Sequence, residues 1–565
     1  MNTILAFLLS AMGIAYGKPA SSTTKFDVVI VGGGLGGLTS AFYLTQGGLK
    51  VLLVEKAEHL GGLASGLTTD DGVKFDRGAA YWTNTYDEEQ KILDDIGLGR
   101  FKRFEIHEPI DSYLWNGKFY PGIWEIEKTM DELPQSFRLF KFELAQLSKS
   151  ELIPNQPIEE ADQQLLVLDQ ISSADWIKSI PLRVANRAQF SKNQKIRVQA
   201  GKILEKFNAD ERVRKDDGAQ GMKDVLDFLD LYTRSALGAL TGQISAVAFA
   251  NFYSSEIEPR YTSELGTGIA SIKITEKLAA TKHLWESVTS APVTGIKIKN
   301  DSECRVETVF DQQSQLHTVC SDFVVFAAQL KDAPKVIENL AKFDHSKVEA
   351  ISRLGYSHYS VHILHTKGHP FRETYDTWVR GKNYRPDHFT DLILGRWMNP
   401  KIRGYNKFRE GTWVNGEIDY EQKEIVVDGK EDDHGILSIY HPLPPEYLNK
   451  PYDAKTAQDL MKQATIDMLR EFQPLTTMKI EIVKSEAITW PFSVHIPAVN
   501  FFSKDAKLLR RRTGRIFYAH SNIGTPAFEE ALFRGHCAAY NILKITAKDF
   551  KPKHWTRCPI EQELN

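Results

Sequence analysis

The sequence lacks a strong excess of charge of either sign, and this restricts its partners. Among 565 residues, 70 Lys and Arg stand against 73 Asp and Glu, which gives a formal net charge of −3. Proteins that bind nucleic acid or an anionic membrane usually carry a clear basic excess. We therefore expect neither of these partners. The composition is otherwise globular, and the length predicts at least two domains.

Long apolar runs are also missing, apart from one at the N-terminus. Residues 4–16 (ILAFLLSAMGIAY) are followed by Gly17, so that residues 15–17 form a small-x-small pattern. A helix of this length reaches about 20 Å, short of the roughly 30 Å hydrocarbon core of a bilayer. The run predicts a signal peptide over residues 1–17, an exported protein (periplasmic or secreted) and no further transmembrane span. An uncleaved N-terminal anchor is the alternative.

Cysteine is scarce, with four residues and no CxxC pair. The spacing excludes the common zinc motifs, and we expect no metal. Cys304 and Cys320 flank two short strand patterns and lie equally far from residue 312. In a symmetric hairpin about that residue they would face each other, which leaves a disulfide or two reduced thiols open. Cys537 lies in a helical pattern and Cys558 in the tail.

The sequence also lacks several motifs of other enzyme classes. It has no G-x-S-x-G elbow, because Ser65 is in the wrong place within residues 62–66. It has no HExxH pair and no EF-hand loop. Serine-hydrolase and zinc-protease chemistry are therefore disfavoured, and so is a calcium site.

What the sequence does have is a nucleotide-binding pattern after Lys25. An apolar strand pattern over residues 26–31 leads into a glycine-rich turn, which opens a helical pattern. A second apolar strand over residues 50–55 ends at Glu55. Such a turn brings a pyrophosphate to a helix N-terminus, and the carboxylate at the end of the second strand accepts hydrogen bonds from ribose hydroxyls. A carboxylate at the end of this strand would repel a 2′-phosphate, so an NADP-type ligand is disfavoured. The turn consists of Gly32, Gly33, Gly34, Leu35, Gly36 and Gly37.

Five segments, in order, resemble the flavin-containing amine oxidoreductases. The first is DVVIVGGGLGGLTSAFYL with VLLVEKAEHLGGLASG, and the second is the glycine pair in that stretch. FDRGA follows, then PV with DFVVFAA, and last RIFYAHSN with EEALFRGHCAAYNIL. This group also includes protoporphyrinogen oxidases, carotenoid desaturases and, more distantly, UDP-galactopyranose mutases. The resemblance spans roughly residues 26–545.

The resemblance implies an α/β fold, with a Rossmann-like FAD-binding domain interleaved with an α+β substrate domain. The FAD-binding parts are residues 25–110, 251–335 and 485–550. Residues 111–250 form a helical part of the substrate domain, 336–484 form its strands and one helix, and 551–565 are a tail. No cysteine occurs between residues 321 and 536, where one family branch places a covalent link, so non-covalent FAD is expected.

The resemblance also assigns cofactor-binding residues beyond the glycine-rich turn. They are Glu55, Lys56, Gly61, Gly62, Gly78, Ala79, Val293, Ser521, Glu529 and Ala531. It leaves the catalytic residues unassigned and offers four substrate-facing candidates: Tyr81, Trp82, Trp490 and His495. Simple core packing is the alternative for the aromatic residues, and a buried, hydrogen-bonded histidine is the favoured alternative for His495.

The sequence departs from the family pattern in three places. His59 and Leu63 replace arginines beside the glycine pair, and the last strand ends in Ala-His-Ser over residues 519–521 instead of Ala-Gly-acid. The lysine that many amine oxidases hold near the flavin is absent from the matching stretch, residues 356–360. There the sequence has Tyr356, His358, Tyr359 and Ser360.

These features predict an FAD-dependent, amine-oxidase-like oxidoreductase. It would take a hydride equivalent from a small organic substrate and pass the electrons to oxygen or another acceptor. Two alternatives stay open. One is a non-redox flavoenzyme of the sugar-mutase type, which needs a basic pocket for a nucleotide diphosphate. The other is a catalytically inactive FAD-binding protein.

Overall fold

The computed structural model describes residues 25–546 and Cys558. The gaps are 69–73, 84–86, 100–103, 107–110, 150–157, 159–165, 215–218, 257–259, 264–265, 282, 300, 368–373, 386, 395–407, 415–416, 424–433, 444–453 and 477–478. The strands in the described part are β1 Lys25–Val31, β2 Val51–Val54, β3 Gly66–Thr68, β4 Lys74–Asp76, β5 Trp82–Thr83, β6 Phe104–Glu105, β7 Asp111–Trp115, β8 Lys118–Tyr120, β9 Arg260–Thr262, β10 Trp285–Val288, β11 Val293–Ile298, β12 Val306–Gln312, β13 Gln315–Phe326, β14 Gly355–Lys367, β15 Asp376–Arg380, β16 Asp391–Leu394, β17 Phe408–Val414, β18 Glu417–Lys423, β19 His434–Leu443, β20 Glu481–Ile496 and β21 Ile516–Tyr518.

The described α-helices are more numerous between β8 and β9 than in any other stretch of the chain. They are α1 Leu35–Gln46, α2 Asp87–Asp95, α3 Glu127–Glu132, α4 Gln135–Lys149, α5 Ser173–Lys178, α6 Ile180–Phe190, α7 Gln194–Ala209, α8 Glu211–Arg214, α9 Lys223–Leu237, α10 Ala246–Glu256, α11 Gly268–Ala279, α12 Ala333–Val336, α13 Leu340–Phe343, α14 His345–Arg353, α15 Ala454–Phe472, α16 Ala506–Arg510 and α17 Phe528–Thr546. Of these helices, none has the length and apolarity that crossing a membrane requires.

The first sheet is the nucleotide-binding sheet, and it draws strands from three separated parts of the chain. Its order is β10-β2-β1-β13-β12-β11, with β21 also paired to β13. β10, β2, β1, β13 and β21 are parallel, whereas β11 and β12 join β13 as an antiparallel edge. β2 is buried along its whole length, as expected for a parallel strand covered on both faces.

The first and last helices cross closely on one side of this sheet. A Cβ added to Gly535 would lie 2.2 Å from the carbonyl oxygen of Gly36, so the crossing leaves no room for a side chain there. The hydroxyl oxygen of Ser40 lies 2.8 Å from the carbonyl oxygen of Gly535. Small residues therefore hold α17 against α1 at the helix end nearest the glycine-rich turn.

The second sheet has seven strands in the order β20-β14-β19-β16-β15-β7-β8. It is antiparallel except for the pair β7 and β15. Two of its strands, β7 and β8, lie in residues 111–120, so the prediction of a helical part that begins at residue 111 is wrong at its start. A third sheet has five strands in the order β18-β17-β6-β9-β5, and a fourth consists of β3 and β4. The other domain boundaries stay a prediction.

All four cysteines form disulfides, Cys304–Cys320 and Cys537–Cys558. The predicted hairpin symmetry about residue 312 is wrong, because Gln313 and Ser314 form the turn and Glu307 faces Cys320. Cys304 reaches Cys320 from the segment that precedes β12. The second disulfide joins the tail to α17 and was not anticipated. The predicted signal peptide, residues 1–17, lies outside the described residues.

Candidate cofactor and substrate site

The glycine-rich turn connects β1 to α1, and three of its glycines are required by close packing. Gly32 has φ of +106°, a left-handed conformation that favours glycine. A Cβ on Gly37 would lie 1.9 Å from the carbonyl oxygen of Gly32, and one on Gly36 would lie 2.0 Å from that of Ala519. Gly34 is different, because nothing lies within 4 Å of the position its Cβ would take. The open face of the turn is therefore at Gly34.

A second glycine loop lies directly beside the first. The amide of Gly61 donates to the carbonyl oxygen of Gly33 at 2.8 Å, and Gly34 and Gly61 pair as an isolated parallel bridge. Gly61 and Gly62 both have positive φ, +108° and +59°. The N-terminus of α1 begins at Leu35 in the same region, and Gly34, which has no side chain, does not cap its first amide groups. The two loops and the helix end form a surface suited to phosphate oxygens.

Glu55 stands at the end of β2 and fixes the loop on this side. Its Oε2 accepts the amide of Gly33 at 2.6 Å, and its Oε1 accepts the amide of Ala57 at 2.7 Å. The Glu55 carbonyl accepts the amide of Ala291, which brings the start of β11, and with it Val293, to this edge. The carboxylate therefore lies where a ribose would meet the sheet.

The last predicted cofactor segments also reach the turn. Ala531 lies on α17, with its carbonyl oxygen 3.4 Å from the Cβ position of Gly36. Ser521 begins a short 3-10 turn after His520. Desolvation and the nearby positive charge of Lys56 lower the pKa of His520 to about 4, which keeps this imidazole neutral beside the loop.

A cavity lies beyond these loops, between the second sheet and the segments around Gly78 and Phe528. It contains about 980 Å³ of space that the protein does not fill, part of it open to solvent. On the side of the nucleotide-binding loops it is lined by Leu63, Gly78, Ala79, Ala80, Tyr81, Trp82, Thr83, Pro526, Ala527, Phe528 and Glu529. The second sheet and helices α9 and α10 supply Tyr232, Ser235, Ala236, Phe252, Tyr359, Val361, Asp376, Trp378, Asp391, Ile393, Tyr440, Trp490, Ser493 and Val494.

Hydrogen bonds fasten the two sides of the cavity together. The hydroxyl of Tyr440 donates to the carbonyl oxygen of Gly78 at 2.7 Å, and the indole N–H of Trp490 donates to that of Arg77 at 2.6 Å. The amide of Thr83 donates to Oε1 of Glu529 at 2.7 Å. The segment that follows Asp76 is thus held between the second sheet and the start of α17.

Of the four substrate-facing candidates, Tyr81, Trp82 and Trp490 line the cavity and His495 does not. β20 carries an irregularity at Phe492, whose φ is +54°, and it turns Ser493 and Val494 toward the cavity. His495 is fully buried, and its Nε2 donates to the carbonyl oxygen of Gly524 at 2.7 Å. Burial lowers its pKa to about 3. The assignment of His495 as substrate-facing is therefore corrected to a buried, neutral histidine.

Among the residues that replace the expected lysine, Tyr359 lines the cavity. Its hydroxyl is 2.8 Å from that of Ser235 on α9. Burial raises the pKa of Tyr359 well above its usual range, so it is a neutral hydroxyl at every working pH. Leu63, which replaces an arginine, also faces the cavity.

The comparisons with known proteins agree with this architecture. The sequence profile described as flavin containing amine oxidoreductase matches residues 35–394. A probable flavin-containing monoamine oxidase A of Dictyostelium discoideum is 27% identical over 161 residues, 28% of this chain and 33% of that protein. The 15-cis-phytoene desaturase of Glycine max is 27% identical over 207 residues, 33% of each chain. The chain thus spans about a third of the length of these curated relatives.

The fold extends over nearly the whole chain. The structure of cyclohexylamine oxidase from Brevibacterium oxydans superposes with a TM-score of 0.59 at 14% identity, covering 93% of this chain and 100% of that one. The chain therefore has the same two-part fold, with a nucleotide-binding sheet and a second, mostly antiparallel sheet. The chain belongs to the family of flavin containing amine oxidoreductases. The predictions of family, fold class and FAD cofactor are confirmed.

The residues present fit that cofactor. The open face at Gly34, the amide groups at the start of α1 and the paired loop at Gly61 suit a pyrophosphate, and Glu55 suits the ribose. Gly78, Ala79 and Glu529 line the cavity at the far end of the same surface, where a flavin ring would reach. Non-covalent attachment stays a prediction.

Several cavity residues were not predicted from the sequence. Asp376, Trp378, Asp391 and Tyr440 come from three strands of the second sheet, and Ser235 comes from α9. Strand alternation was the available signal, since Asp376 and Trp378 are two residues apart, as are Asp391 and Ile393. That signal shows which residues share a face of one strand, but not which strands become neighbours.

Proposed function

We propose that the protein is an FAD-dependent oxidoreductase of the amine-oxidase type, which transfers a hydride equivalent from a small organic substrate to the flavin. The observation that carries the proposal is the cavity rich in aromatic side chains, which is lined on one side by the predicted cofactor residues Gly78, Ala79 and Glu529. When bound, FAD supplies a two-electron acceptor. The family membership and the names of the relatives support the same chemistry.

The chain's own residues then bind, orient and shield the substrate. Tyr81, Trp82, Trp378 and Trp490 give the cavity flat, largely apolar walls. The hydrogen bonds from Tyr440 and Trp490 hold the segment at Arg77 and Gly78 in a fixed position. Because hydride transfer depends on the approach of one carbon to the acceptor, such fixed walls favour the reaction by orientation.

The sugar-mutase alternative finds no support in the cavity. A nucleotide diphosphate needs basic side chains, and among the described residues that line the cavity there is no Lys, Arg or His. A catalytically inactive FAD-binding protein would bind FAD in the same way but would not oxidise a substrate. Measuring turnover distinguishes the two alternatives.

The test begins with the absorption spectrum of the purified, untreated protein. We expect two flavin bands, in the near-ultraviolet and in the visible. Anaerobic addition of amines and other hydride donors should bleach the visible band, and air should restore it. A featureless spectrum that persists after FAD is added would remove the proposal. A flavin spectrum that no donor bleaches would favour the inactive protein.

We also propose that the protein is exported. The apolar run at residues 4–16 supports this, and so do the two disulfides, which persist in oxidising compartments. N-terminal sequencing of the mature protein should start at or near Lys18. An intact Met1 would contradict cleavage.

A further inference from the structure

A chain of hydroxyl groups connects the cavity to a buried acid. Asp391 lines the cavity from the second sheet and is 2% exposed. Its Oδ1 accepts the hydroxyl of Thr390 at 2.6 Å, and the hydroxyl of Ser235 on α9 donates to the same carboxyl. The oxygen of Ser235 lies 2.8 Å from the hydroxyl oxygen of Tyr359 on β14. Side chains from β14, α9 and β16 thus form one hydrogen-bonded chain that borders the cavity.

The hydrogen bonds in this chain have a defined direction while Asp391 is ionised. A serine hydroxyl has one proton to donate, and a carboxylate can only accept. Because Ser235 donates its proton to Asp391, the hydrogen bond between Ser235 and Tyr359 uses the proton of Tyr359. The phenol oxygen then presents its acceptor side to the cavity that Tyr359 lines. The chain is therefore arranged to accept a proton at the Tyr359 end.

Tyr359 is linked to the predicted flavin-facing segment through one other aromatic ring. The ring centroids of Tyr359 and Tyr440 are 5.7 Å apart, and the hydroxyl of Tyr440 donates to the carbonyl oxygen of Gly78. Tyr359, Tyr440 and Gly78 all line the cavity. The proton-accepting end of the chain thus borders the same space as the segment beside which oxidation is proposed.

Asp391 is a weak acid in these surroundings. Burial raises its pKa to about 7, with Asp111 adding to the rise and Arg260 opposing it. The guanidinium of Arg260 binds both oxygens of Asp111, at 2.9 and 3.2 Å, so its charge is shared with that acid. A carboxyl with such a pKa takes up and releases a proton near neutral pH. The titratable and charged groups that line the cavity beside it or act on its charge are Asp376 on β15, Asp111 on β7, Arg260 on β9, Tyr359 on β14, Tyr440 on β19 and Tyr232 on α9.

We propose that Tyr359, Ser235 and Asp391 form a proton relay, which receives the proton that the substrate releases when it is oxidised. This inference rests on the proposed function. Oxidation of a carbon that bears an O–H or N–H group breaks two bonds. The C–H bond breaks with its electron pair leaving as the hydride of the proposed function. The O–H or N–H bond breaks with its electron pair forming the new C=O or C=N bond, and its proton must be accepted.

The chain accepts that proton in three connected transfers. The substrate proton goes to the oxygen of Tyr359, the proton of Tyr359 goes to Ser235, and the proton of Ser235 goes to the carboxylate of Asp391. Tyr359 and Ser235 stay neutral, because each receives one proton as it passes on another. This agrees with the raised pKa of Tyr359, which burial keeps from ionising. The proton later returns along the chain to the cavity, part of which is open to solvent.

The first measurement needs no turnover. Infrared difference spectra of the purified protein are recorded between about pH 5 and about pH 9, a range that excludes ordinary carboxyl groups. We expect a carboxylic acid C=O band that disappears with a midpoint near pH 7. Asp391→Asn should remove the band. Ser235→Ala should move the midpoint upward, because the carboxylate loses a hydrogen-bond donor. A wild-type protein without such a band would overturn the inference.

The second measurement is the rate at which benzyl alcohol and benzylamine bleach the flavin without air. In the wild type this rate should rise with pH and level off above about pH 7. Tyr359→Phe, Ser235→Ala and Asp391→Asn should each slow bleaching about tenfold or more and flatten the pH profile. Ser235→Thr keeps a hydroxyl and should restore both rate and profile.

The matched control is Tyr518→Phe. The hydroxyl of Tyr518 also pairs with a buried hydroxyl, that of Thr513 at 2.9 Å, but neither residue belongs to the described lining of the cavity. This variant should keep the wild-type rate and pH profile. If Asp391→Asn does not fold, Tyr359→Phe and Ser235→Ala decide.

The outcomes separate this inference from the proposed function. Bleaching at equal rates by the wild type and by the three relay variants would support the function and overturn the relay. Slower bleaching with a flattened profile in the relay variants alone would support both. A flavin that no donor bleaches would overturn the proposed function, and the relay with it, even when the infrared band titrates.

Discussion

The hydroxyl of Tyr440 donates a hydrogen bond to the carbonyl oxygen of Gly78, 2.7 Å away, although 362 residues separate them in the chain. The bond joins the second sheet to the segment that borders the cofactor surface. Tyr440→Phe removes this hydrogen bond to a half-buried carbonyl oxygen, at a cost of about 0.5–1.5 kcal/mol. We expect weaker FAD binding together with lower stability, measured by flavin fluorescence titration and urea unfolding.

The control for that variant is Tyr43→Phe. Tyr43 also donates from a buried hydroxyl, to Asp95 at 2.9 Å, but on the outer side of α1 and away from the cavity. It should lose stability to a similar extent and keep its FAD affinity. Equal loss of FAD affinity in both variants would show that Tyr440 acts only through global stability.

Two neighbouring glycines should respond to alanine in opposite ways. Gly34→Ala places a methyl group in open space at φ of −70°, so the apoprotein should keep its thermal midpoint. The same methyl group would occupy the approach to the pyrophosphate, and FAD affinity should fall by about tenfold or more. Gly36→Ala would place its methyl group 2.0 Å from the carbonyl oxygen of Ala519 and should prevent stable folding.

The two variants are compared by the thermal midpoints of their apoproteins. FAD affinity is then measured by titration for each variant that folds. A Gly34→Ala protein with unchanged FAD affinity would place the cofactor elsewhere. A stable Gly36→Ala protein would contradict the close packing of α1 on the segment after β21.

Buried histidines should make the protein sensitive to acid. The pKa of His495 is about 3 in the folded protein, against an ordinary value near 6.5. Between these values the unfolded chain binds the proton first, so the free energy of unfolding falls as pH decreases below about 6.5. Each such histidine contributes up to about 1.4 kcal/mol per pH unit in that window. His441, with a pKa of about 4, acts in the same direction.

The measurement is the free energy of unfolding at pH 7 and pH 5. His495→Gln can still donate to Gly524 and does not titrate, so it should lose less stability on acidification than the wild type. His345→Gln, which changes an exposed side chain, should follow the wild type. Parallel pH profiles for wild type and His495→Gln would contradict the assignment of His495 as buried and neutral.

The disulfide Cys537–Cys558 should stabilise the fold by closing a loop over a separation of 21 residues. Loop-closure entropy predicts about 3 kcal/mol for a loop of this size. Replacing both cysteines by serine should therefore lower the free energy of urea unfolding by roughly that amount. The matched comparison is Cys304→Ser with Cys320→Ser, whose separation is 16 residues. A change below about 1 kcal/mol would indicate that the tail is held by other contacts.

The nucleotide-binding part was predictable because its determinants are local. The strand pattern, the glycine spacing and Glu55 fall within residues 26–55, a stretch of 30 residues. Gly33 and Glu55, for example, meet through a backbone amide and the end of the next strand. Such short-range geometry follows from the βαβ unit itself.

The substrate side was not predictable in the same way. Asp391 lines the cavity because β15, β19 and α9, which come from distant parts of the chain, assemble around it. His495 was assigned to the cavity from the family resemblance, which indicated its strand but not the direction of its side chain; it lies five residues after Trp490 and bonds to Gly524 instead. Cys304 was misplaced because the hairpin turn falls one to two residues later than its symmetry suggested. The register of that hairpin is set by pairing between its strands.

The close crossing of α1 and α17 has a consequence for the order of events in the cell. Gly36 and Ser40 meet Gly535 near the start of the cofactor surface, so the nucleotide pocket is finished only by a helix in which Gly535 lies 495 residues after Ser40. A growing chain cannot close this pocket on the ribosome until α17 has emerged. A C-terminally truncated product would lack one wall of the pocket, and a chain that crosses a membrane unfolded would have to acquire its flavin on the far side.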